Sequence, residues 1–300
     1  MGGLLSANLP FFWLPTTKAV ITLPFQLTRD IYIYQSSIWQ INSPVILNEA
    51  ANIIIDPCYF PVEIQVIADF ASRRKSFNKY VIFTHSDFDH IVGYQYFKGA
   101  RLIGQEEFLY CDSEAQLYQL REIDQTYYIN RRIPFVFPEI DITFENEYRI
   151  PLKGDELVLV HAPGHTADSI FIISREKKVM FAGDYISDLE FPFVYFNTAA
   201  YLRSLDMALK LVEEYGIRYV VPGHGDIAEG PEITERIRSD REYLSELVEK
   251  AQDLFVQGLQ EREITDVLKG IKFRNEPIGG AMLKMHVENI RLVLTELRTF

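Results

Sequence analysis

Four times along this 300-residue chain a short apolar run stops at a loop of histidine, aspartate and glycine. Tyr80–Thr84 leads into His85-Ser86-Asp87-Phe88-Asp89-His90, and Glu156–Val160 into His161-Ala162-Pro163-Gly164-His165. Lys178–Ala182 leads into Gly183-Asp184, and Ile217–Val221 into Pro222-Gly223-His224-Gly225. Apolar runs of this length bounded by turn residues read as buried strands. In layered α/β architectures the side chains at such strand ends converge on one crevice, so the chain calls for a fold that gathers four strand ends. The whole sequence has six histidines, and two of them share six consecutive positions with two aspartates. Crowding ionisable groups in this way is costly unless something bound there compensates it.

The rest of the pattern fits that frame. From Lys18 to about Ile55, β-rich runs separated by turn-prone residues predict a meandering sheet. Residues 61–75 have helical spacing with Pro61 in the first turn, and residues 106–128 read as one aromatic helix. A further helix over 199–216 is closed by Gly216. After Pro231 the sequence is charged and helical to its end, and residues 129–138 match no single pattern, so their aromatics could line a pocket or pack. Strands alternating with helices in two successive halves point to sheets covered by helices on their outer faces.

Bulk properties narrow the function classes. A hydrophobic content of 48% supplies a large core. The net charge of −12 opposes a nucleic-acid partner. Two cysteines, Cys58 and Cys111, make neither a disulfide framework nor a CxxC site, so a reducing, cytoplasmic setting is expected. The apolar N-terminus lacks a basic start and is broken by Pro10 and Pro15, which argues against a signal peptide or a membrane span. Its match to the N-myristoylation pattern through Gly2 and Ser6 is read as chance.

A metal ion is the simplest compensation for the crowded loop. Asp87 and Asp89 would raise each other's pKa unless a cation offset their charge. Imidazole with carboxylate suits zinc, manganese or iron. The order of the motifs resembles the metallo-β-lactamase superfamily, whose signature is HxHxDH followed by a later His, a later Asp and a last His. Here these positions are His85, Asp87, Asp89 and His90, then His165, Asp184 and His224.

The resemblance implies an α/β chain (α+β in some schemes) folded as the αβ/βα sandwich. It implies a catalytic domain over residues 18–228, with a C-terminal helical extension over 229–300 packed on it. One metal would be held by His85, Asp87 and His165, and a second by Asp89, His90 and His224. Asp184 would bridge the two ions alongside a water or hydroxide, and Asp89 and Asp184 would be the catalytic carboxylates.

Asp87 departs from the family pattern, since it occupies the place of the second histidine. Two divalent ions then meet three aspartates and one hydroxide, and the cluster is neutral. Such a cluster should attract anions less and tolerate harder metals better. The HxDxDH form is similar to a minority branch with bacterial phosphorylcholine esterases and competence-protein domains, and flavodiiron proteins carry a glutamate at this place.

The expected activity is binuclear, metal-dependent hydrolysis of an ester-type bond (lactone, thioester or phosphodiester) in a small molecule. Two divalent ions are expected, zinc first, with manganese or iron as alternatives. The alternative activity is that of a di-iron oxidoreductase fed by a separate electron donor. The charged tail could narrow the substrate entrance or make a homodimer contact. Tyr185 or Tyr195 could stabilise an oxyanion if either faces the cleft, and with Phe191, Phe193 and Phe196 they could form a substrate wall or simply pack. His161 and His286 are read as structural, Cys58 as a buried inert thiol, and the motif glycines as turn residues.

Overall fold

In the computed structural model, residues 23–299 are described. The myristoylation pattern, residues 18–22 of the expected domain and the start of the first expected β-run lie outside them. Strands β1 (Phe25–Gln26), β2 (Ile31–Gln35), β3 (Asn42–Leu47) and β4 (Ala51–Ile55) form the antiparallel meander. Helix α1 (Pro61–Ser72) then crosses over to β5 (Asn78–Ile82), which is parallel to β4. Strands β6 (Arg101–Gln105) and β7 (Ile142–Phe144) extend the sheet in parallel, giving seven strands in the order β1 to β7.

The second sheet has six strands: β8 (Glu147–Leu152), β9 (Asp155–His161), β10 (Ile170–Ser174), β11 (Val179–Gly183), β12 (Tyr219–Pro222) and β13 (Ala228–Glu229). Helix α4 (Thr198–Glu214) connects β11 to β12 in parallel. Every residue of β4, β10 and β11 is buried. That is why these strands are mostly apolar rather than alternating, with Asn52 and Ser174 the buried polar exceptions, since each is covered on both faces. Ile53, Ile82 and Ile103 of the first sheet pack against Leu157, Leu159, Ile172 and Phe181 of the second. The outer face of the first sheet takes Ile64 and Ile67 of α1. Tyr201, Leu205 and Ala208 of α4 cover the second, with Ile233, Ile237 and Leu244 of α5 (Pro231–Val256) and Ile290 and Val293 of α7 (Met282–Arg298). The architecture is the expected sandwich of two sheets with helices outside.

Two local expectations are corrected. Residues 106–128 do not form one helix. A 3-10 turn covers Glu106–Tyr110, and α3 (Ser113–Thr126) starts afresh because the Asp112 side chain accepts from the Ala115 N–H and caps it. The C-terminal region is not helical throughout. After α6 (Glu261–Leu268) a hairpin of β14 (Lys272–Phe273) and β15 (Glu276–Pro277) intervenes, turned by Arg274 and Asn275 at φ 50° and 66°. In residues 129–138 no helix or strand forms, and Phe135 and Phe137 pack against the core. No helix among the described residues is long and apolar enough to cross a membrane.

Candidate metal centre

The motif residues meet where β5, β11 and β12 end. His85 follows β5, Asp87 precedes the single-turn helix α2 (Phe88–Ile91), and Asp89 and His90 lie on that turn. His165 sits between β9 and β10, Asp184 follows β11 and His224 follows β12. Asn42, at the start of β3, donates to the carbonyls of Pro222 and Gly225 and so fixes the His224 loop against the first sheet.

All seven sequence-chosen residues come together in two groups. Asp87 Oδ2 lies 3.6 Å from His85 Nε2 and 3.3 Å from His165 Nε2. Asp89 Oδ2 lies 3.8 Å from His90 Nε2 and 3.4 Å from His224 Nε2. Asp184 faces both groups: Oδ2 is 3.5 Å from His165 and from His224, and Oδ1 is 3.1 Å from His90. Donor atoms on one tetrahedral ion at about 2.0–2.1 Å stand about 3.3 Å apart, so the spacings suit cations. His85 Nε2 and His165 Nε2 are buried without a hydrogen-bond partner, and a lone pair aimed at an ion accounts for both.

Each imidazole is held from behind through Nδ1. His90 donates to Asp56 Oδ2 at 3.0 Å, His165 to the Phe193 carbonyl at 2.8 Å and His224 to the Trp39 carbonyl at 2.9 Å. The Thr84 hydroxyl gives its hydrogen to Asp56 Oδ2, so Thr84 Oγ1 accepts from His85 Nδ1 at 3.0 Å. These bonds select the tautomer that leaves Nε2 free to ligate. Close backbone approach is also required: a Cβ on Gly223 would stand 2.2 Å from Asp184 Oδ1.

Without a cation, protons would bind these groups together. Burial disfavours charge on His90, but Asp184, Asp89 and Asp56 outweigh it and hold its pKa well above the ordinary value. His224 behaves alike beside Asp184 and Glu190, and His165 reaches about 9 against the pull of burial through Asp87 and Asp184. Burial likewise opposes ionisation of Asp87 and Asp184, yet the facing imidazoles hold both low. Burial pushes Glu190 up to about 7, against the pull of His224.

Sequence reading overlooked three residues of this site. Asp56 orients two imidazoles from φ 42°, directly at His90 and through Thr84 at His85, and its signal was a carboxylate directly after the run Ile53-Ile54-Ile55. Glu190 brings a carboxylate oxygen into one group with Asp184 and His224, all three atoms within 4.8 Å of one another. Gln116, on α3, donates to Asp87 Oδ1 at 2.9 Å and accepts from the Phe88 N–H at 2.8 Å. Gln116 thereby holds Asp87 with Oδ2 towards the histidines. Gln116→Ala is expected to weaken metal retention at His85, Asp87 and His165 by about tenfold, the usual cost of losing such support. Chelator competition on the purified variant measures this, and an unchanged curve would refute it.

The remaining expectations separate cleanly. Tyr185 is buried and engaged, donating to the Ala162 carbonyl and accepting from the His165 N–H, so it does not face the cleft. Tyr195 is half exposed with its ring 5.1 Å from that of His165. Phe191 belongs to the core, and Phe196 is exposed. His161 bonds the Ala167 carbonyl, His286 is buried between Tyr243 and the Leu268 carbonyl, and Cys58 is buried.

The family model described as Metallo-beta-lactamase superfamily matches residues 37–224. The chain is 24% identical over 176 residues to the "Beta-lactamase-like protein 2 homolog" of Drosophila melanogaster, covering 57% of this chain and 53% of that protein. It is 34% identical over 77 residues to the "Acyl-coenzyme A thioesterase MBLAC2" of Gallus gallus, covering 25% of this chain and 28% of that one. The chain thus spans about half, or less, of the length of these two relatives. In fold it resembles the stereoselective inverting sec-alkylsulfatase Pisa1 from Pseudomonas sp., with a TM-score of 0.70 at 15% identity over 91% of this chain and 50% of that one.

Proposed function

Because the chain belongs to the metallo-β-lactamase superfamily, we propose that it is a hydrolase that holds two divalent ions and cleaves an ester-type bond of a small molecule, a thioester ahead of a lactone or phosphodiester. The observation that carries this reading is the pair of groups, His85, Asp87 and His165 beside Asp89, His90 and His224, sharing Asp184. When bound, the ions supply Lewis acidity: a water acidic near neutral pH and a polarised acyl or phosphoryl oxygen.

The chain's own groups do the rest. Asp184 holds the two halves in register, and the Nδ1 anchors keep the imidazoles from turning away. Asp89 Oδ2 faces His90 and His224, which leaves the carboxylate's other oxygen to hold a proton on its way to the leaving group. Tyr195, half exposed with its ring against that of His165, offers an apolar wall for an acyl portion. The thioester preference is supported by the activity named for the Gallus gallus relative. We assign residues 18–228 to the catalytic unit and 229–300 to an extension that contributes to the core on the second sheet.

Zinc-reconstituted protein assayed against acyl-coenzyme A thioesters, lactones and phosphodiesters tests the proposal. Thioesters should turn over fastest, chelation should abolish turnover, and zinc should restore it. Protein that holds two ions yet hydrolyses none of these, or that is indifferent to chelation, would overturn it. Two irons per chain with a charge-transfer band would favour the oxidoreductase instead.

A further inference from the structure

Glu190 stands outside the four motifs, on the segment between Asp184 and α4, and its position is heavily constrained. The Ser187 hydroxyl donates to the His224 carbonyl at 2.8 Å and accepts from the N–H groups of Leu189 and Glu190. Asp188 Oδ1 accepts from the Asp226 N–H at 2.7 Å. Arg274, at the tip of the C-terminal hairpin, donates to the carbonyls of Ser187 and Asp188. Ile186 adopts φ 63°, a left-handed conformation that is strained for a β-branched residue and persists only where surroundings enforce it. The segment is thus tied at two points to the loop that carries His224 and is also held by Arg274 of the hairpin, and Glu190 is delivered to that side of the centre.

We propose that Glu190 is an additional metal ligand, serving the ion held by Asp89, His90 and His224. Its carboxylate oxygen, an Asp184 oxygen and a His224 nitrogen lie within 4.8 Å of one another, a grouping of the same kind as the two motif groups. Charge points the same way. The imidazole grouped with Glu190 is that of His224, and a ligating imidazole is neutral. Once His224 ligates, a cation is left to compensate the carboxylate. The centre then has four imidazoles and four carboxylates: Asp87, Asp89, Asp184 and Glu190. Two divalent ions are balanced by these carboxylates alone, and a hydroxide makes the cluster anionic rather than neutral. Two of the carboxylates, Asp89 and Glu190, belong to one half, which is therefore the harder of the two.

This inference rests on the two-ion reading above, and one titration separates the two. Zinc is removed with a graded chelator from wild type, Glu190→Gln and Glu190→Ala, and retained zinc is measured per chain. Wild type is expected to retain two ions. Each variant should release one of them at a chelator concentration at least tenfold lower, while the other leaves as in wild type. With cobalt in place of zinc, the d–d absorption should intensify in Glu190→Gln as the coordination number of one ion falls. Variants that release both ions as wild type does, with an unchanged cobalt spectrum, would refute the role of Glu190 and leave the two-ion reading intact. Wild type that retains fewer than two ions would remove the reading itself.

Discussion

Asp184→Ala is expected to strip both ions together and to reduce hydrolysis by roughly a thousandfold, because several kcal/mol of Lewis-acid stabilisation vanish with them. Asp184 is the one motif carboxylate that faces both groups, with Oδ2 equidistant at 3.5 Å from His165 and His224. The substitution should leave the fold intact. Asp184 Oδ1 makes no hydrogen bond in the protein, and the bond that Tyr201 makes at this residue goes to its backbone carbonyl. Metal content per chain and circular dichroism on the same sample provide the check. Loss of a single ion would show that Asp184 serves one half only.

Chelation is expected to lower the melting temperature by on the order of 10 °C near pH 8, and the deficit should grow with pH. In the ion-free fold His165 titrates at about 9 against an ordinary 6.5. Its bound proton therefore stabilises the fold fully below pH 6.5. That contribution, on the order of 3 kcal/mol, is lost between 6.5 and 9. His90 and His224, also raised, act in the same direction. Asp87 and Asp184 are depressed, so their contribution is complete above the ordinary carboxylate range and stays flat over this window. Metal binding has the opposite dependence, because ligating nitrogens must be deprotonated and affinity rises with pH. Melting curves with and without chelator at pH 6 and pH 9 should diverge, and a gap that is constant or narrows would contradict the proton-for-metal exchange.

The seven motif residues were legible because each follows a strand, and strand ends announce themselves as short apolar runs stopped by turn residues. Glu190 was not, since it lies in an aromatic stretch with neither period nor motif and reaches His224 only through Ser187, Asp188 and the distant Arg274. Gln116 was hidden in the same way: on a helix of mixed polarity it is one polar residue among many until α3 is laid over α2. The break at Cys111 had a local cause in the Asp112 cap, which the aromatic run obscured. The hairpin at Arg274–Asn275 depends on two non-glycine residues with positive φ, a choice that composition does not signal.

By itself, the sequence determined the layering of the fold, the family and the membership of the two histidine–aspartate groups, because hydrophobic period and strand-end chemistry are local properties of the chain. Tertiary structure alone decided which tautomer each histidine adopts, which oxygen of Asp87 faces inward and that a fourth carboxylate, Glu190, stands beside Asp184 and His224. Those outcomes depend on hydrogen bonds and charges between residues far apart in sequence, and such couplings exist only once the two sheets have closed on each other.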